Sequence, residues 1–269
     1  MYPIPKSDTF RGRVTRAIIF VSGRRVQRIQ FAAMSTIALP AVPASLPRPE
    51  EIRLRWMELG LVLFVALSEP IYGSALFALH GGSPRASGQV GGGLLRELGA
   101  LAVLLYVLQR RSRTLFYFGK RPEWKDIPRG LALCAAGFVI MSAASYIYSF
   151  GYALKTGHLP AALPVSKALG MEKNSTWFLY ILLSPVFEEL IVRGFLITEI
   201  AALMNLPMAI LASTVLQISY HAYQGVTNLV TIATLFLLFS LYYGKTNRLM
   251  PVILAHLMQD LYAFLRLHG

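Results

Sequence analysis

Cysteine is almost absent from the chain: Cys134 is the only one in 269 residues, so no internal disulfide framework exists and no redox compartment can be read. Charge is nearly as scarce. Only 14% of residues are charged, whereas a soluble domain has about a quarter, and 55% are hydrophobic, with a mean hydropathy of +0.53. These values point to lipid as the main solvent. Acid is the scarcer sign, at 13 Asp/Glu against 26 Lys/Arg. Residues 1 to 55 hold ten basic residues against Asp8, Glu50 and Glu51, and residues 110 to 129 hold seven against Glu123 and Asp126. Basic residues concentrated beside apolar runs follow membrane topology, which argues against nucleic acid as a partner.

What is present is a series of apolar runs long enough to cross a bilayer, each bounded by Pro, Gly or charge. Seven are expected, over roughly 57–79, 91–109, 130–151, 175–200, 206–223, 226–244 and 250–267, giving an all-α polytopic membrane protein with an intramembrane polar cavity. Tyr146, Tyr148 and Tyr152 close the third run, while Trp177, Phe178 and Tyr180 open the fourth, as interfacial aromatic belts do. Arg48, Arg53 and Arg55 precede the first span, Arg110 to Arg129 follow the second, and Lys245 and Arg248 separate the last two. Even numbers of spans lie between these segments, so all three belong on one side. The other side receives Arg85 and the 152–174 loop, with Lys155, Lys167, Lys173 and Glu172. The N-terminus is therefore expected in the cytoplasm and the C-terminus outside.

Residues 1–49 form a basic, Ala/Pro-rich extension with no run long enough to span, read as a disordered cytoplasmic segment or one that precedes a start at Met34. Arg24 and Arg25 ahead of the mildly apolar 29–42 stretch also fit a twin-arginine export signal or an organelle presequence. Residues 50–269 make up the transmembrane domain.

Only four acidic residues follow Glu172: Glu188, Glu189, Glu199 and Asp260. All but Glu199 fall well inside expected spans. A charge at a helix centre costs about 2.5 to 3.5 kcal/mol, so Glu188, Glu189, Arg193 and Asp260 unpaired would cost on the order of 10 kcal/mol. Neutralisation, pairing or a water-filled cavity can offset that, and each makes an intramembrane ionisable group a functional candidate. Glu189 and Arg193 stand at i, i+4, as an ion pair requires, while Glu188 is rotated about 100° and free to face a cavity. Pro185 should bend this helix and leave the Ile181 carbonyl free. His221 falls near the outer end of the fifth span, where an interfacial histidine is also ordinary. The sixth span carries no acid, base or histidine between Val226 and Tyr242 and reads as packing. His256 and Asp260 again stand at i, i+4, so the carboxylate can fix the imidazole tautomer or both can face one cavity.

With a core of about 30 Å, Glu188 lies about 17 Å below the outer face, His221 roughly 8 Å, and His256 and Asp260 about 21 and 15 Å. Four polar groups from three helices thus share a slab where a carboxylate can take a proton from water while imidazoles position it or stabilise an oxyanion.

The ordered set Glu188-Glu189-x-x-x-Arg193-Gly194, His221 and His256-x-x-x-Asp260 resembles the CPBP family. These are the CAAX-protease and bacteriocin-processing intramembrane peptidases, also called the Abi family, related to the Rce-type prenyl-protein endopeptidases. His221-Ala-Tyr-Gln-Gly225 and the stretch from Tyr243 to His256 resemble bacterial members, which implies a bacterial inner-membrane protein. The likeness covers roughly residues 175–265 as a peptidase core. It implies that Glu188 is the catalytic base, that His221 helps it activate water, that His256 and Asp260 line the oxyanion side, and that Glu189 and Arg193 support the site. The expected substrate is a membrane-associated protein or peptide. Gln217 departs from the family, which usually has phenylalanine four residues before this histidine; its amide either alters pocket polarity or marks weakened activity. Asp260 stands where some relatives have Asn.

Metal use stays open on these residues, because Glu188, His221, His256 and Asp260 could also ligate zinc. The favoured expectation is a metal-free glutamate mechanism that requires no cofactor. HExxH is absent, as are a GxSx-type serine with a paired histidine and the GxGD of aspartyl intramembrane proteases. Two other functions remain compatible with the pattern: a non-catalytic binding or immunity protein that retains the site, and a proton-coupled transporter using Glu188 and Asp260 as a relay.

Overall fold

The computed structural model describes residues 48–80, 89–161 and 175–266, and among them every regular element is a helix. The first is α1 (Pro49–His80), which opens with proline in its first turn followed by Glu50 and Glu51 at the positive end of the helix dipole. Next come α2 (Gln89–Arg110), a 3₁₀ turn (Leu115–Phe118) and α3 (Asp126–Thr156). Gly157 terminates α3 at φ +79, a left-handed conformation that glycine adopts without steric cost. Then follow α4 (Ser175–Glu188), a π-helical stretch (Glu189–Phe195) and α5 (Leu196–Leu203), continuous as one rod. Asn205 caps α6 (Leu206–Tyr220) by accepting the Met208 N–H. A 3₁₀ turn (Ala222–Gln224) leads into α7 (Gly225–Thr246), which Asn247 stops at φ +54 before α8 (Met250–Arg266).

These rods match the seven expected spans, with ends displaced by up to eight residues. Four stretches are long and apolar enough to cross a membrane: Pro49–Leu79, Gly92–Arg110, Asp126–Thr156 and Ala222–Thr246. The other three expected spans fall short for a physical reason. The fourth carries Glu188, Glu189 and Arg193 and is split by the π stretch, α6 has 15 residues and α8 has 17. Glu188, Glu189, Arg193, His256 and Asp260 thus stand on the shorter or interrupted rods. Large side chains such as Phe64, Leu79 and Val139 are mostly exposed, as a lipid-facing surface requires, while Val62, Ala66, Leu104, Ile191, Phe195 and Phe239 are sealed inside.

Two close approaches set the packing of α3. A Cβ on Gly130 would lie 2.8 Å from Leu254 Cβ, and one on Gly137 would lie 2.5 Å from Gln259 Nε2. Glycine at these positions brings α3 against α8 and α7 at backbone distance.

Ion pairs gather the basic segments at one end. Arg110, closing α2, and Arg111 just after it both bond Glu58 of α1, and Arg111 Nη1 reaches Glu199 of α5 at 2.7 Å. Tyr117 also donates to Glu199, which is completely buried although it was expected at the very end of a span. Arg248, between α7 and α8, bonds Asp126 at the head of α3 at 3.1 Å, and the Lys120 N–H donates to the Asn247 carbonyl. The start of α1, the loop after α2 and the α7–α8 turn thus share one end, as counting spans required. Residues 1–47 of the extension, Arg85, Lys167, Glu172 and Lys173 lie outside the described residues.

Candidate active site

The acidic pair sits where helix geometry changes. The α-helix passes through buried Pro185 and reaches Glu188, and a π-helical turn begins at Glu189. A π-turn admits an extra residue, so the faces before and after it are rotated relative to an uninterrupted α-helix, and such turns are frequent at functional sites. Pro185 thus stands four residues ahead of the disturbance, which falls on the acidic pair itself.

Glu188 and Glu189 point to different partners. Glu188 Oε2 accepts from Tyr220 Oη at 2.7 Å and from Gln217 Nε2 at 3.1 Å, both on α6. Its Oε1 lies 3.3 Å from Ser184 Oγ, one turn earlier on α4. His221 and His256 lie within electrostatic reach of this carboxylate, which is only partly buried. Glu189 is fully buried and bonds Arg193 Nη1 at 3.0 Å. The Arg193 guanidinium, equally buried, lies 5.3 Å from the centroid of Phe236 and 5.8 Å from that of Phe239. Cation–π attraction from two rings of α7 therefore adds to the ion pair. The sixth span, read as packing, supplies those rings.

His221 places Nδ1 2.9 Å from the Gln217 carbonyl, and a carbonyl only accepts. Nδ1 must therefore carry the hydrogen, so the neutral ring presents a lone pair at Nε2. The ring is half-buried against Tyr220, Tyr223 and Phe236. Asp260, four residues along, was expected either to fix the His256 tautomer or to face one cavity with it. His256 Nδ1 bonds Glu189 Oε1 at 2.7 Å, while Asp260 Oδ1 stays within ion-pair reach of Nε2 at 3.7 Å. The interhelical contact is the shorter because α8 packs its buried face on α4 and turns Nδ1 toward the acidic pair.

Gln217, the departure from the usual phenylalanine, is completely buried, and both its side chain and its backbone take part. The amide holds Glu188 and the carbonyl holds His221, so one residue joins the two. Three further contacts escaped the sequence. Tyr220 is an unremarked neighbour of His221, Ser184 looks like any small span residue, and Glu97 lies in the second span, away from the motif cluster. Glu97 was detectable, since a carboxyl within an apolar run is the same signal that singled out Glu188. The structure buries it with its Oε1 3.1 Å from Ser184 Oγ.

Among the described residues no three His, Cys, Asp or Glu side chains are gathered as the ligands of one metal ion. Glu189 already engages His256, and the Gln217 carbonyl engages His221. These bonds engage Nδ1 alone and leave Nε2 of both rings, and no step is derived through a metal.

Residues 172–262 match the family model for type II CAAX prenyl endopeptidase Rce1-like proteins. That segment is similar to this family. It begins just before α4 and ends within α8, taking in the acidic pair, His221, His256 and Asp260. No curated protein and no solved structure matches the chain. The match starts and ends three residues before the 175–265 stretch that carries the motifs, and it leaves α1, α2 and α3 outside.

Proposed function

We propose that the chain is an intramembrane endopeptidase that hydrolyses a peptide bond with water activated between Glu188 and His221. The carrying observation is the paired orientation of these groups by Gln217, with Glu188 Oε1, which also takes the Ser184 hydroxyl, and the second imidazole nitrogen available to a water molecule. Glu188 Oε1 takes a proton from that water as its oxygen bonds the scissile carbonyl carbon and the carbonyl electron pair moves onto oxygen. His221 Nε2 accepts the second hydrogen bond of the water and orients it. His256, with Nδ1 committed to Glu189, has Nε2 left to donate to the oxyanion, and Asp260 beside it balances the imidazolium charge. When the tetrahedral intermediate collapses, the C–N bond breaks and Glu188 returns its proton to the departing amine. Glu189 and Arg193 hold the helix that presents Glu188.

Nothing in this sequence of steps calls for a metal or another cofactor. The substrate is a membrane-associated protein or peptide that reaches the polar residues from the bilayer. The clustered basic end is assigned to the cytoplasm, with the N-terminus, by the positive-inside rule, in a bacterial inner membrane.

The test compares wild type with Glu188→Gln in liposomes, with and without chelator, against a library of membrane peptides read by mass spectrometry. Chelator-resistant cuts that vanish in the variant are expected. Equal cutting by both proteins rejects Glu188 as the base, and chelator-sensitive cutting rejects the metal-free reading.

A further inference from the structure

Glu97 is a buried carboxyl for which the hydrolytic scheme has no use. It projects from α2 toward α4, where its Oε1 lies 3.1 Å from Ser184 Oγ. The same hydroxyl lies 3.3 Å from Glu188 Oε1. Ser184 therefore stands between two carboxyls with a single hydrogen to donate. Were both carboxyls ionised, one would face a hydroxyl lone pair, and two negative charges would share a poorly solvated interior. One proton on the pair removes both difficulties. The carboxylic O–H then donates to Ser184 Oγ, and Ser184 donates to the remaining carboxylate.

The surroundings decide which carboxyl holds that proton. Glu188 faces Tyr220 and Gln217 from α6, both donating to its Oε2, and has His221 of α6 and His256 of α8 within electrostatic reach. Glu97 faces Ser184 and Tyr180 from α4 and Arg96 on its own helix. Arg96 is committed to Glu69 of α1, and its guanidinium stays 3.7 Å from Glu97. Glu188 is half-buried and has Tyr220 and Gln217 as donors besides Ser184, whereas Glu97 is buried, with Tyr180 besides Ser184 and an arginine shared with Glu69, so the proton falls on Glu97.

We propose that Glu97 is a positioning residue which, as the neutral acid, directs the Ser184 hydroxyl onto Glu188 and keeps Glu188 available as the base. The inference rests on Glu188 being that base. Glu97 does not touch substrate, and it acts through Ser184.

The deciding variant is Glu97→Gln. Its amide N–H donates to Ser184 as the acid O–H does, in nearly the same shape, and it does not titrate. At neutral pH the infrared spectrum of the wild type in liposomes is expected to contain a carboxylic-acid C=O band that Glu97→Gln lacks. Cleavage near neutrality stays close to wild type. On the alkaline side wild-type cleavage falls as Glu97 loses its proton, whereas Glu97→Gln continues to higher pH. Ser184→Ala, which removes the bridge, loses about tenfold in kcat/KM, the loss of one hydrogen bond to a charged group. An unchanged acid band together with superimposable pH profiles overturns the proposal, as does undiminished cleavage by Ser184→Ala. The two readings fail separately. Full cleavage by Glu188→Gln rejects the base assignment, whereas a silent Glu188→Gln beside a wild-type profile for Glu97→Gln rejects only the role of Glu97.

Discussion

Replacing Arg193 with methionine removes the one cation sealed into the rod that presents the acidic pair. Glu189 remains completely buried and retains only His256 as a close partner. Removing one member of a buried ion pair costs about 3–5 kcal/mol, mainly because the other charge is left uncompensated. The ring contacts with Phe236 and Phe239 contribute about 0.5–2 kcal/mol of further attraction, part of which methionine replaces by packing. Against a total stability on the order of 5–15 kcal/mol, this is a substantial fraction. The midpoint of thermal unfolding in detergent, followed by tryptophan fluorescence, is expected to fall by on the order of 10 °C. Arg193→Lys keeps the charge but loses the planar fork and the stacking, so it falls between wild type and Arg193→Met. Glu189→Gln combined with Arg193→Met removes both charges and is expected to be more stable than Arg193→Met alone. Equal midpoints for wild type and Arg193→Met would refute the reasoning, and so would a double variant whose losses simply add.

Tyr220→Phe deletes one of two donors to Glu188 Oε2, and steady-state kinetics are expected to show a loss of about 10- to 100-fold in kcat/KM with unchanged folding; undiminished activity would place Tyr220 outside the machinery. Gly130→Ala sets a methyl 2.8 Å from Leu254 Cβ and 3.3 Å from the Pro251 carbonyl, so it is expected to destabilise the α3–α8 contact by about 1–3 kcal/mol, whereas Gly60→Ala meets nothing within 4 Å and does not. Matching unfolding midpoints for these two variants would reject the close approach. Outside the membrane, the Arg129 hydrogen bond, which outweighs the opposing desolvation, and then the charges of Arg248 and Arg129, which outweigh that of Asp126, hold Glu123 below its ordinary value. A carboxyl lowered in the folded state stabilises above its unfolded pKa, and that contribution is lost as pH falls through the folded value. Stability measured from neutral to strongly acidic pH should therefore fall less for Glu123→Gln than for wild type, and parallel curves would contradict this.

Helical spacing made part of the site readable in one dimension. Glu189 and Arg193 are a turn apart on one rod, so their ion pair follows from local geometry and survives the unexpected π-turn between them. The same rule left His256 open between an orienting Asp260 and a shared cavity. Asp260 is its neighbour along α8, but a contact at i, i+4 competes with every group a packed helix presents, and Glu189 lies closer. Gln217 was legible as a departure from the family pattern and illegible as a bridge, since its carbonyl acts toward its own helix and its amide toward another. Glu97 carried its signal in plain view, as a carboxyl in an apolar run, yet lay outside the motif cluster.

From the sequence by itself come the lipid solvent, the count of helical rods, the shared side of the basic loops and the family signature of residues 172–262. Composition, span length and charge placement are sums or periodicities along the chain, so they need no knowledge of which helices touch. Tertiary structure alone decided that Glu188 meets Tyr220 and Gln217, that His256 turns to Glu189, and that Ser184 stands between two carboxyls. Those contacts depend on the rotation and relative height of whole helices. Many side chains far from the site, among them Gly130 and Gly137, set these through packing that no local spacing encodes.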